Sequence, residues 1–154
     1  MGERYAATGV DPIVTIAPGD TVLTVHSNGT TKRGKLYELI FSIGDTPADN
    51  IIQWLVRRCT ALGTEGAAVV PAPLGVIPAP AAILDAGEAY TVEPTYTAAT
   101  ELLDFDLNQR ATFRWVATTD GAFGIPAIAN AGIGITPIGA GVPLLPRITA
   151  QFEE

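Results

Sequence analysis

The stretch Leu103-Asp104-Phe105-Asp106-Leu107-Asn108-Gln109-Arg110-Ala111-Thr112-Phe113-Arg114-Trp115-Val116-Ala117 decides the fold class. Leu103, Phe105 and Leu107 alternate with Asp104 and Asp106. Successive strand side chains point to opposite faces, so this pattern is a strand with one apolar and one wet face. Ala111, Phe113, Trp115 and Ala117 alternate in the same way with Arg110, Thr112 and Arg114. Asp120-Gly121 then marks a turn. A short edge-like piece follows at Ile125-Pro126-Ala127-Ile128, with strands at Ile133-Gly134-Ile135 and from Arg147 to Phe152. Tyr90 to Tyr96 adds another strand, broken at Pro94. The C-terminal half therefore reads as a meander.

Upstream, Tyr37, Leu39, Phe41 and Ile43 alternate within Leu36 to Ile43 and are expected to face a core. Thr21 to His26 is a β-branched run, and Asn28-Gly29 after it signals a hairpin whose return limb carries Lys32, Arg33 and Lys35. Residues 1–20 read as an extended N-terminal arm, with turn signals at Asp11-Pro12 and Pro18-Gly19 around Ile13-Val14-Thr15-Ile16. One helix is signed at about 47–62: Asp45 or Thr46 caps it, Pro47 suits its first position, and Gly63 stops it. Its apolar stripe is Ile51, Ile52, Leu55, Val56, Cys59 and Leu62. Residues 66–84 carry no charge between Gly66 and Leu84 and are rich in Pro and Ala, which forbids helix and favours extended chain lying against a surface. The predicted fold is mainly β, an antiparallel β-sandwich or jelly-roll-like domain over 21–154 with one helix and the N-terminal arm.

Composition narrows the function. The chain has 154 residues, enough for one domain with a core that needs neither disulfide nor metal. Its 16 acidic and 9 basic residues give a net charge of -7, which argues against direct nucleic-acid binding. A single cysteine forms no internal disulfide and no thiolate-rich metal site. No signal peptide is expected in the first thirty residues. Pro and Gly interrupt every longer apolar region, so no membrane contact is expected either.

The candidate chemistry is sparse. His26 is the single histidine, and no motif marks a nucleophile or orienting carboxylate for it. Cys59 falls on the apolar stripe and reads as a small core hydrophobe. Asp104 and Asp106, with Glu101 nearby, could hold Ca²⁺ or do acid–base work, but six to eight oxygen ligands are not supplied; Arg110 and Arg114 are plausible cross-strand partners for a wet face. Gly132-Ile133-Gly134 and Gly139-Ala140-Gly141 precede prolines rather than a helix, which excludes a dinucleotide fingerprint. Asn28-Gly29-Thr30 matches a glycosylation triplet and is read as turn. Lys32, Arg33 and Lys35 lack interleaved aromatics and read as a charged strand edge or a contact to an acidic neighbour. No cofactor is expected, and nothing points to an enzyme.

The informative signal is a deficit of charge. Charged residues make up 16% of the chain, against about 25% in an ordinary domain. Besides 66–84, Gly121 to Pro146 contains no charged residue. Monomers rarely expose large contiguous apolar surface, so part of these stretches is expected to meet another chain. Candidate interface residues are Ile13, Val14 and Ile16 on the arm, Val76 and Ile77 in the Pro-rich stretch, and Ile133, Ile135, Ile138, Leu144 and Leu145. The arm is expected to add a strand to a neighbour.

Tyr37-Glu38-Leu39-Ile40-Phe41-Ser42-Ile43-Gly44-Asp45-Thr46-Pro47-Ala48-Asp49-Asn50, then Gln53-Trp54-Leu55, and later Leu107 to Ala117, resemble small virion proteins of tailed bacteriophages. The resemblance implies a β-rich, non-enzymatic subunit that decorates or cements a capsid or builds part of a tail. Its expected partners are copies of itself and a major capsid protein or other virion subunit, and its place is the virion, assembled in the host cytoplasm. The alternatives are a tail tube component, or a β-sandwich module binding carbohydrate or another small ligand. In that module Trp54, Trp115, Tyr90 and Tyr96 would be the stacking residues, although core packing is the favoured explanation of them.

Overall fold

The computed structural model describes residues 2–11, 20–29, 31–75, 80–139 and 145–154. Twelve strands form two antiparallel sheets among these residues. Sheet I runs β10 (Phe123–Ile125), β3 (Gly34–Gly44), β12 (Leu145–Glu153), β1 (Arg4–Val10), β6 (Ala72–Pro73). The strand β9 (Phe113–Val116) pairs with β3 beyond the end of β10, on the edge that β12 leaves free. Sheet II runs β5 (Ala67–Val69), β7 (Leu84–Glu88), β2 (Leu23–Ser27), β11 (Gly132–Ile138), β4 (Ile51–Ala61), β8 (Thr95–Asn108). Tyr5, Leu39, Phe41, Ile148 and Phe152 of sheet I and Leu23, Val25, Ile52, Trp54, Val56, Ile133 and Ile135 of sheet II share one buried core, so the sheets stack as a sandwich. Phe41 sits at its centre, edge-on to Trp54 at 5.2 Å and to Phe105 at 5.1 Å.

The predicted helix at 47–62 is not there: residues 51–61 are β4, paired with both β8 and β11. Ile52, Trp54 and Val56 alternate into the core, while Leu55 and Cys59 are also buried on the opposite face. A strand buried on both faces shows a near-continuous apolar run, which also satisfies helical spacing. Its β-branched and aromatic residues favour the extended form. The supposed capping residues serve the neighbouring loop instead. Asp49 Oδ1 accepts from Asn108 Nδ2 at 2.6 Å, the Ala48 N–H donates to Gln109 Oε1 at 3.0 Å, and Asp45 adopts φ 63° in a turn.

Other connections also differ from the sequence expectations. Asn28-Gly29 does not close a hairpin, because β2 belongs to sheet II and β3 to sheet I. Ser27 Oγ donates to Gly29 O and Asn28 Nδ2 donates to Asp85 Oδ2, so these residues shape a crossover. The C-terminal half is no meander: β11 inserts between β2 and β4, and β12 between β3 and β1. Residues 4–10 of the predicted arm are β1, paired with β12 from Arg4↔Glu153 to Val10↔Arg147, hence part of this chain's own sheet. The rest of the arm, 12–19, lies outside the described residues. On β3, a register shift opposite Gln151/Phe152 puts Leu36, not Tyr37, in the core beside Leu39 and Phe41. One extra residue in a strand reverses which parity faces inward.

The two uncharged stretches have different fates. Residues 67–73 form β5 on the edge of sheet II and β6 on the edge of sheet I, closing that flank of the sandwich. The Tyr5 hydroxyl donates to Pro80 O across the same flank at 2.9 Å. In the other stretch, β11 is buried from Gly132 to Pro137 as a central strand of sheet II.

Candidate functional site

Of the predicted interface residues, Ile13, Val14, Ile16, Val76, Ile77 and Leu144 lie outside the described residues. Ile133 and Ile135 are fully buried in the chain's own core and are therefore withdrawn from any interface. Their charge-free surroundings reflect a central strand covered on both faces. Ile138 and Leu145 are half-buried at the ends of β11 and β12. Exposed apolar side chains remain on the crossing segment, where Val70 is 87% and Leu74 47% exposed, and at Ile128 in the second uncharged stretch. Beside the crossing segment a groove of about 420 Å³ is lined mostly by apolar residues, Val69, Val70, Pro71 and Pro73 among them, with the carboxylates Glu65 and Asp85 also on its wall.

The outer face of sheet II carries a buried polar layer. Thr21, Thr24, His26 and Thr136 are all buried there, roofed by side chains of residues 90–96. Glu93 Oε2 accepts from the Thr21 N–H at 2.9 Å and from Thr21 Oγ1 at 2.5 Å, and the Tyr96 hydroxyl stands 2.6 Å from the same Oγ1. Thr24 Oγ1 lies 2.7 Å from the Tyr90 hydroxyl and 3.1 Å from His26 Nδ1. Tyr96 fits because Gly134 lies beneath it, where an added Cβ would stand 2.8 Å from Tyr96 Cε1. The Arg57 guanidinium stacks over the Tyr96 ring at 4.0 Å and donates to Thr136 Oγ1 at 3.2 Å. Arg57 thus shares the face of Cys59, two residues further along β4.

Burial sets the protonation of this layer. It pushes the Cys59 thiol up to about 11 and the Tyr96 phenol to about 12, and raises Tyr90 as well. It lowers His26 against an opposing pull from Asp85. Burial also raises Glu93, whose bonds from Thr21 act the other way. The Tyr90 and Tyr96 phenols and Glu93 hold the roof to the sheet through Thr24 and Thr21, with the neutral His26 imidazole on Thr24.

Charged side chains gather elsewhere. Arg33, Lys35 and Arg58 line a groove of about 430 Å³ with Gly124 and Pro126, and Arg58 Nη1 donates to Gly124 O at 2.7 Å. The basic cluster of the sequence thus gains Arg58 from β4, which sequence distance concealed. Glu38, buried on β3, receives a two-pronged bond from Arg114, Nε to Oε1 at 2.7 Å and Nη2 to Oε2 at 3.0 Å. Arg114 therefore pairs with Glu38 rather than with Asp104 or Asp106, and Arg110 donates to Pro47 O. Asp104 accepts from Gln53 Nε2 at 2.7 Å. Among the described residues no three His, Cys, Asp or Glu side chains converge to hold a metal ion.

The proposed stacking aromatics are dispersed. Trp54 is fully buried, Trp115 stacks on Phe123 at 4.3 Å, and Tyr90 and Tyr96 are tied into the polar layer. A cavity of about 570 Å³ on the outer face of sheet I has Arg4 over the Tyr37 ring, with Glu38 and Gln151 beside them. No protein-family model, curated protein or solved structure matches this chain.

Proposed function

We propose that this chain is a non-enzymatic, self-associating structural subunit of a phage particle, which decorates or cements the capsid. The carrying observation is the crossing segment, where Val70 stands exposed on the wall of a largely apolar groove and Leu74 stands exposed at the neighbouring cavity over the outer face of sheet I. An apolar ridge next to a largely apolar furrow suits burial against a second protein surface, at about 25 cal/mol per Å² removed from water. The acidic net charge favours an outward-facing position over a lining in contact with genome. The carbohydrate-module reading is weaker, since Trp54 is sealed in the core and the other three aromatics share no open face.

Immunogold electron microscopy of the native source material tests the proposal with an antibody against the purified chain. Gold on capsid shells is the expected result. Gold confined to tails would replace the capsid assignment with a tail component, and particles free of gold would overturn the structural role.

A further inference from the structure

The two flanks of the sandwich are finished differently. On one, residues 67–73 bridge the sheets. On the other, the edges are β8 in sheet II and β9 with β10 in sheet I, and among the described residues no strand pairs with their outer sides. The β8 edge spans 14 residues; 103–108 pair regularly with β4, while the pairing skips 97–100, where Ala99 takes φ 54°. A long free edge offers a row of unpaired backbone groups to another chain. Between these edges the core is left ajar. Leu103, Phe105, Leu107, Trp115 and Phe123 pack on the core only partly buried, and Phe113 is 36% exposed, whereas Ile52, Trp54 and Val56 on adjacent β4 are fully buried.

The same flank carries complementary charge. Glu101, Asp104 and Asp106 lie along β8, while the groove of Arg33, Lys35 and Arg58 flanks β10 and Arg114 on β9, though paired with Glu38 within the chain, keeps a side chain that is 63% exposed. We infer that two copies of this chain join edge to edge along this flank, β8 of each beside β9 of the other, around a two-fold axis parallel to the strands. Phe105 and Phe113 stand level, with ring centroids 4.7 Å apart, so the chain reverses between them and β8 runs opposite to β9. The two-fold then makes each new strand pair antiparallel and joins sheet I of one copy to sheet II of the other. Such an axis keeps every residue at its own height. It therefore sets Asp104 of one copy level with Arg114 of the other, and directs Glu101 toward the basic groove. The half-buried apolar side chains of both copies meet in one continuous core, the self-complementary arrangement a two-fold interface requires. This inference rests on the self-association proposed above but uses the opposite flank.

Sedimentation equilibrium combined with hydrogen exchange over a concentration series tests it. The expected result is a reversible dimer in which amides of 101–108 and 113–116 slow as concentration rises. Asp104→Lys with Asp106→Lys should weaken dimerisation roughly tenfold or more, by setting like charges against the partner's Arg114, with an unchanged circular dichroism spectrum. Val70→Asp on the other flank should leave the dimer intact. A chain monomeric at every concentration, protection appearing only at 67–75, or a lysine variant that dimerises like the parent would each overturn the inference. Protection only at 67–75 would do so while sparing the proposed function, and a dimer from a chain that labels no particle would do the reverse.

Discussion

His26 shows how one side chain is governed by its surroundings. It is buried on β2, with Thr24 Oγ1 at 3.1 Å, Asp85 opposite it on β7 and Gly132 opposite it on β11. Desolvation holds its pKa below the ordinary value, and Asp85 only partly offsets this. The unfolded chain then takes up a proton near pH 6.5 that the folded chain resists. The stability His26 contributes is present above that pH and is lost as pH falls through the lowered folded value. Asp11, Asp20 and Glu93 are raised by burial, so their contribution has the opposite sign, present at low pH and lost as pH rises through their folded values. Comparing the parent with His26→Gln cancels the carboxylates. Urea unfolding at a series of pH values should show the parent's advantage over the variant shrinking from pH 7 to pH 5. An advantage that stays flat would mean that His26 titrates alike in both states.

At the scale of single strands, β11 explains why its sequence alternates glycine. Gly132 and Gly134 face the polar roof while Ile133 and Ile135 fill the core, and Tyr96 occupies the space above Gly134. Gly134→Ala should cost about 1–3 kcal/mol through overpacking, read from the urea midpoint. Combining it with Tyr96→Ser should cost less than the two changes summed, because the smaller side chain frees the room the methyl needs. Additive costs would show that the two positions do not crowd each other. Legibility in the sequence followed the same logic of faces. The strands β8 and β9 were readable because one face is wet, so Asp104, Asp106 and Arg114 punctuate the apolar positions. The strand β4 escapes a sequence reading because both its faces are largely covered, and Gln53, the single polar residue between Ile51 and Val56, is too little to mark a period of two. The inward residue at the start of β3 was missed because a bulge leaves no mark in composition. A central strand and a subunit contact have the same composition, so the apolar stretches alone do not say what covers them. Only the pairing of β11 with β2 and β4 assigns Ile133 and Ile135 to the chain itself.

For the whole molecule, the two flanks make different kinds of contact, and salt should separate them. Each copy carries a net charge of -7, so copies repel at long range, and raising ionic strength screens that repulsion. Association through the exposed apolar side chains of the crossing segment, Val70 and Leu74, should therefore strengthen as salt rises from low to physiological levels. The open flank also sets Asp104 and Glu101 against Arg114 and the basic groove, and that local attraction is screened too. The dimer should accordingly respond to salt less steeply than larger assemblies do. A shell needs more than one contact per subunit, since a two-fold pair alone closes on itself. Val70→Asp with Leu74→Asp, both exposed and away from the core, should fold normally and still dimerise, yet form no species beyond the dimer at any salt concentration. Light scattering across a salt series would check this. Larger species that persist in the double variant would remove the crossing segment from the assembly and leave the open flank as the sole contact assigned to this fold.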